Sequence, residues 1–351
     1  MKIINAIHGQ SIGGVDQVFR DYNEVLIKQG HDLSLLISNN GNDKYRSEGV
    51  RKIFKLKNKA QILDFSKLLL ILIFFRPDLI ICHSNRLMRW SKVLKFFSKI
   101  KIIKTKTVAI NHGITFQKSL FCDYIISIND EITKMVIDSG FSSDKAFTLK
   151  NAIKINQQFQ EKTLKNPPII GIYGRIEWRK GYDILIKACG LMKSRGYDFI
   201  LKIGGFEIVG DDWSWSNIDK WAKEADIEDK CQKVGVVTDK KNFFSDVDIF
   251  CVPSREEPFG IVILESFLHS TLLISSTTVG GKLLVEDGKN GILFENENAN
   301  DLAEKIITAL NNPNSYKEIT RNAFLRLEKE FSFDCLSDKM SKILQQISKN
   351  A

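Results

Sequence analysis

Proline is scarce, with 6 residues in a chain of 351. No stretch is low in complexity either, so the composition excludes a long disordered tail. Long hydrophobic runs are missing. The longest, over residues 68–75, falls well short of the ~20 apolar residues that a membrane-spanning helix requires. The opening MKIINAIHG has one early charge and reads as a strand rather than as a secretory signal. Cysteine is thinly spread, at Cys82, Cys122, Cys189, Cys231, Cys251 and Cys335. No two have metal-site spacing, and there is no dense disulfide framework. Most lie within apolar runs, as small core residues do in a reducing compartment. A P-loop, a Ser–His–Asp arrangement and a metal-ligand constellation are also absent. These absences leave the expectation of a soluble or peripheral protein in the cytoplasm.

Negative charge is short in one half only. Residues 1–166 hold 27 Lys+Arg against 14 Asp+Glu, a net of +13 in a chain whose total is +9. The excess is concentrated over 51–106, where 15 basic residues stand with only Asp64 and Asp78. Such a stretch suits an anionic partner, above all an anionic membrane surface. Nucleic acid fits less well, because the aromatic residues are not arranged as a stacking platform. The plain alternative is a solvated basic face beside a core helix.

What is present is hydrophobic residue, 43% of the chain, enough for a large core, and length enough for two domains. Strand and helix patterns alternate from the start. Residues 2–7 read as a buried strand, followed by the loop HGQSIGG and a helix over 15–28 that stops at Gly30. HDLSLLIS, DLIICHS, KTVAINHG and DYIISIN read as further strands. Residues 62–75 form a helix that is apolar nearly all round, ended by Pro77. The polar segment 162–168, with the only Pro-Pro, reads as the domain junction, and the alternation restarts after it. The final helices are expected over 301–310 and 316–347. The fold class is therefore α/β. Two doubly wound βα domains, 1–165 and 166–330, would leave an interdomain cleft, with ligands at the carboxyl ends of the strands.

Three segments carry candidate chemistry. In PSREEPFGIVILESFLHS, Glu257 precedes a turn with Pro258, Phe259 and Gly260, and Glu265 follows eight positions later. Eight residues is a little over two helical turns, so both carboxylates can share one side, with Glu257 at the helix start. A helix N-terminus behind a glycine also presents N–H groups to phosphate. In GRIEWRKG, Arg175 and Lys180 stand five apart on the loop after a strand, placed to hold a diphosphate. Gly13 and Gly14 lie between strand and helix but lack the spacing of a dinucleotide fingerprint, so NAD binding is not expected. His83 and His112 each follow a strand. Each feature also has a structural reading: a carboxylate at a helix start, two surface cations, a tight turn, and structural histidines.

Taken together these segments resemble family 4 of the retaining glycosyltransferases, which have the GT-B fold. The likeness covers nearly the whole chain, through MKIINAIHGQSIGGVDQVFRDYNEVLIKQGHDLSLL, RPDLIICHS, GRIEWRKGYDILIKA, VDIFCVPSREEPFGIVILESF and VEDGKNGILF. It implies transfer of a sugar from a nucleoside-diphosphate sugar to a hydroxyl of a glycan or lipid-linked acceptor, as in lipopolysaccharide or polysaccharide biosynthesis, with no bound metal or other cofactor. By position, Arg175 and Lys180 would hold the donor diphosphate, Glu257 the donor sugar and Glu265 the ribose. Pro258, Phe259 and Gly260 would form the donor turn, Gly13 and Gly14 would approach the phosphates, and His112 would lie near the transferred sugar. The last helix, 331–351, would pack back on the N-terminal domain. The chain departs from the family pattern at GGKLLVEDG, one residue short and lacking a Glu, at the Asn-Ala-Ile of 151–153, and at Asn129, often Ser. Two other activities would use the same donor residues: a GT-B nucleotide-sugar epimerase, or a non-catalytic nucleotide-sugar-binding protein.

Overall fold

The structure is a computed structural model and describes residues 1–8, 13–38, 45, 47–57 and 61–349. Residues 9–12 of the HGQSIGG loop and 58–60 of the basic stretch lie outside the described residues. The chain divides into two compact units, Met1–Asn151 with Phe333–Ala351, and Ala152–Ser332. The segment 162–168 thus falls inside the second unit, eleven residues beyond the boundary between them. Lys162 explains why it stays there: its ammonium donates to the carbonyls of Phe244 and Val247 and to Thr271 Oγ1, all in that unit.

The first unit runs β1 (Lys2–Ala6), α1 (Gly14–Lys28), β2 (Asp32–Ser38), β3 (Val50–Leu56), α2 (Gln61–Phe75), β4 (Leu79–Cys82), α3 (Asn85–Lys99), β5 (Lys106–Asn111), β6 (Tyr124–Ser127), α4 (Asp130–Asp138) and β7 (Ala146–Thr148). Its seven strands are all parallel, in the order β3-β2-β1-β4-β5-β6-β7. Parallel strands covered on both faces need near-continuous apolar sequence, and Ile3, Ile4, Leu35, Leu36, Ile80, Ile81, Val108 and Ile110 are all buried. The edge strand β3 was not legible as a strand, because its Lys and Arg side chains are solvated. Asn129, where the family pattern often has Ser, accepts from Ile132 N at 2.7 Å through its side chain and caps α4.

The second unit runs β8 (Ile169–Ile176), α5 (Tyr182–Ser194), β9 (Ile200–Glu207), α6 (Trp215–Glu224), β10 (Cys231–Gly235), α7 (Lys240–Asp246), β11 (Ile249–Val252), α8 (Ile261–Leu268), β12 (Leu272–Ser276), α9 (Val279–Leu284), β13 (Ile292–Phe294), α10 (Ala299–Asn311) and α11 (Pro313–Glu330). Its sheet is again parallel, ordered β10-β9-β8-β11-β12-β13. The strand order reverses between β8 and β11, the place where such sheets bind ligands. The helix expected over 316–347 is two helices. The chain breaks after Glu330, where Phe331 is fully buried and its carbonyl accepts from Ile153 N at 3.0 Å. The following α12 (Phe333–Lys349) belongs to the first unit. There Lys28 meets Asp334 at 3.0 Å and Gln29 donates to the Ser337 carbonyl at 2.7 Å. Leu336, Met340, Ile343, Leu344 and Ile347 form the buried stripe of α12.

Candidate active site

The second unit gathers its charged groups at the carboxyl ends of β8 and β11. Arg175 is the last residue but one of β8, and its guanidinium meets Glu177 at 3.0 Å. Glu177 is buried and also takes Arg179 at 3.2 Å. A 3-10 turn, Trp178–Lys180, then carries Lys180 across to the β11 side, where its ammonium meets Glu257 at 2.7 Å. Gly181 makes that approach possible. It has φ +66°, and a Cβ there would collide with the carbonyl oxygen of Pro253.

The loop after β11 is held from several sides. Arg255 donates to both oxygens of Asp183, at 2.9 and 2.6 Å, to the Trp178 carbonyl at 2.9 Å and to Glu297 at 3.1 Å. Its backbone N–H donates to the Arg179 carbonyl at 2.8 Å. One side chain thus ties the turn bearing Lys180 to the loop bearing Glu257. Beyond it, the Glu257 carbonyl accepts from Gly280 N at 2.7 Å, and Gly280 has no room for a Cβ against the Phe259 carbonyl. The shortened GGKLLVEDG segment thus reaches the Glu257 loop through its first glycine, and Thr278, two residues before it, caps α9.

The expected placement of Glu257 needs correction. It does not start the helix: Pro258 intervenes, Gly260 takes φ +94°, and α8 begins only at Ile261. The two carboxylates therefore serve different partners. Glu265, on α8, is buried and accepts from the Tyr173 hydroxyl and from Lys240. Burial, and then the adjacent carboxylate, push the Tyr173 phenol well above its ordinary range, so it stays a donor. Phe259 is buried edge-on to Phe331 at 6.3 Å, so its ring anchors the turn from inside. Pro258 is half-buried.

The structure brings together Arg175, Lys180, Glu257, Pro258, Phe259, Gly260 and Glu265 in the second unit. Gly13, Gly14 and His112 belong to the first. Gly13 has φ +100° and precedes α1, whose start has no side-chain cap. His112 is half-buried, with its Nε2 3.1 Å from His83 Nδ1. Burial lowers His112 to about 4 and His83 well below its ordinary value, so the pair is neutral at pH 7. Sequence reasoning missed Tyr173, Glu177, Lys240 and Arg255. Tyr173 had a signal, since it stands two residues before Arg175 on one strand and so shares its side. Lys240 had none, 25 positions from the carboxylate it meets.

Residues 154–326 match the family model of Glycosyl transferases group 1. An uncharacterized glycosyltransferase of Haemophilus influenzae is 25% identical over 334 residues, covering 91% of this chain and 92% of its own length. The lipopolysaccharide core biosynthesis glycosyltransferase LpsE of Rhizobium meliloti is 24% identical, covering 63% of this chain and 64% of its own. Anabaena HepE in complex with UDP superposes with a TM-score of 0.83 at 17% identity, covering 98% of this chain and all of that one. That likeness establishes the architecture, two parallel-sheet Rossmann-like domains of the GT-B fold, and the relatives support a transferase. Residues 154–326 thus resemble a group 1 glycosyl transferase domain, carried within a chain of GT-B fold.

Proposed function

We propose that the chain is a retaining glycosyltransferase that moves a hexose from a nucleoside-diphosphate sugar to a hydroxyl of a glycan or lipid-linked acceptor. The observation that carries the reading is the meeting of Lys180 with Glu257, beside Arg175, at the reversal of strand order between β8 and β11. A diphosphate there would take over Lys180 and Arg175. Glu257 and Glu265 would then accept hydrogen bonds from sugar and ribose hydroxyls. LpsE, a lipopolysaccharide core biosynthesis glycosyltransferase, and HepE, which binds UDP, support the acceptor class and the donor class.

In the reaction, the bond between the anomeric carbon and the diphosphate oxygen breaks. The acceptor oxygen bonds to the same face, and its proton passes to the leaving phosphate. Negative charge grows on the diphosphate as it departs. Arg175, Lys180 and the N-terminus of α8 therefore stabilise the transition state more than the ground state. These fixed positive groups supply the charge that a metal would otherwise bring, and the proposal includes no metal. His112, neutral and hydrogen-bonded to His83, would face the transferred sugar as a polar group without charge.

A thermal-shift panel of UDP-, GDP- and ADP-sugars tests the donor site. A ligand at 100 times its Kd stabilises the fold by about 2.7 kcal/mol. One nucleotide class should shift the wild type, and Arg175→Ala and Glu265→Ala should each weaken that shift. A panel in which neither variant differs from wild type would sink the assignment. Release of the nucleoside diphosphate that depends on acceptor, with no isomerised donor, separates transfer from epimerisation.

A further inference from the structure

We propose that the outer faces of α2 and α3 dock this chain on an anionic lipid bilayer. The inference deepens the lipid-linked acceptor reading and rests on it for the use of docking, not for the docking itself. The two helices lie side by side, joined by the edge-to-face contact of Phe65 with Trp90 at 5.8 Å. Both send residues into one core cluster: Leu68, Ile71 and Leu72 from α2, and Leu87, Met88 and Leu94 from α3. Their opposite faces accordingly point away from the sheet.

Those outer faces are apolar where a solvated helix would be polar. Along α2, Leu63 is 68% exposed and Phe74 is 80% exposed, with Leu70 between them. These positions, with Lys67, follow helical spacing and make one stripe. Along α3 the exposed residues are Asn85 at its start and then Arg89, Lys92, Val93, Phe96 and Lys99, continued by Ile100 and Ile102. The only carboxylate on either helix, Asp64, is turned inward, accepting from Lys57 N at 2.6 Å and lying 3.8 Å from His8. Exposed Asp78, in the turn after α2, accepts from Lys2 N at 2.7 Å, so the two helix faces offer cations and large apolar side chains and no exposed acid of their own. That is the complement of a bilayer with negative headgroups over a hydrocarbon boundary. A soluble polyanion would use the cations but leave Leu63, Leu70, Phe74 and Phe96 in water.

Vesicle flotation of the full chain tests this. Wild type should float with vesicles of mixed phosphatidylcholine and phosphatidylglycerol and stay behind with phosphatidylcholine alone. Replacing Lys92 and Lys99 by Glu should lower partitioning at least ~25-fold, from about fivefold per cation. Phe74→Ser with Phe96→Ser should lower it as well, with the unfolding midpoint unchanged because both rings are exposed. Equal behaviour toward the two vesicle types would overturn the proposal. So would wild-type flotation by the Phe pair, which would mark a surface for soluble polyanions. Nucleotide-sugar thermal shift and transfer to a water-soluble acceptor are run on the same variants and should match wild type. If wild type itself gives no shift and no transfer, the transferase reading falls while the flotation result stands.

Discussion

Lys180 illustrates why single residues in this site are interpretable. Its ammonium has one carboxylate partner, Glu257 at 2.7 Å, so a bound diphosphate would exchange one anion for another at a fixed place. Arg175 differs, because its partner Glu177 is shared with Arg179, so a diphosphate would take over one of the two cations that Glu177 holds. Charge-assisted hydrogen bonds contribute about 1.5–3 kcal/mol each, so Arg175→Ala or Lys180→Ala should cost roughly 10- to 150-fold in kcat/KM. Steady-state kinetics with the donor found in the panel checks this, and a loss under twofold for both would remove them from the site. The histidines give a pH prediction. His112 and His269 are each lowered to about 4, by burial first, whereas the unfolded side chains titrate near 6.5. The unfolded state therefore binds more protons between those values. The stabilisation is fully present above about 6.5 and declines as pH falls toward 4. The unfolding midpoint should drop by several degrees from pH 7 to pH 5, at about 2–4 °C per kcal/mol. Replacing His112 by Gln should flatten that decline.

Between residues and domains, the loops after β8 and β11 act as a joined pair. Arg255 ties them through Asp183 and the backbone carbonyls of Trp178 and Arg179, and Gly181 allows their close approach. Gly181→Ala must displace the Pro253 carbonyl from its place, and adopts a φ that costs an L residue about 1–2 kcal/mol besides. It should lower stability and activity together. Arg255→Ala leaves Asp183 without its bidentate partner and should cost about 1–3 kcal/mol in chemical unfolding. Arg255→Lys should recover only part, because an ammonium cannot form the fork. An Arg255→Ala protein with wild-type stability would show that the tie is incidental. The helix α8 shows how far local pattern reached. Its apolar run and the Pro-Phe-Gly before it announced a turn followed by a helix. The start at Ile261 rather than at Glu257 was decided by the left-handed Gly260, whose conformation the pattern of neighbours does not encode.

At the scale of the whole chain, α12 matters more than its position at the end implies. It is counted with the first unit, and its buried stripe packs there. Leu344→Ala should cost ~2–5 kcal/mol, the range for a buried leucine, and thermal unfolding should register the loss. The reading of the sequence as two α/β domains came from strands that are buried on both faces, whose apolar runs admit no other placement. β3 escaped notice because an edge strand may carry charge on either face without penalty, so its alternation with Lys and Arg resembled a basic patch. The candidate cations and carboxylates were legible as well, since each stands in a short string with its own turn residues. Local spacing therefore determined which elements form, in what order, and which charged groups stand at their ends. Only the tertiary structure decided that β8 and β11 are neighbours across a reversal of strand order. It also decided that Glu265 meets Tyr173 and Lys240, and that Asp64 turns inward from an otherwise basic surface. The partners of Glu265 lie 25 and 92 positions from it. Those pairings are set by which surfaces bury together and not by the local propensities that a sequence displays.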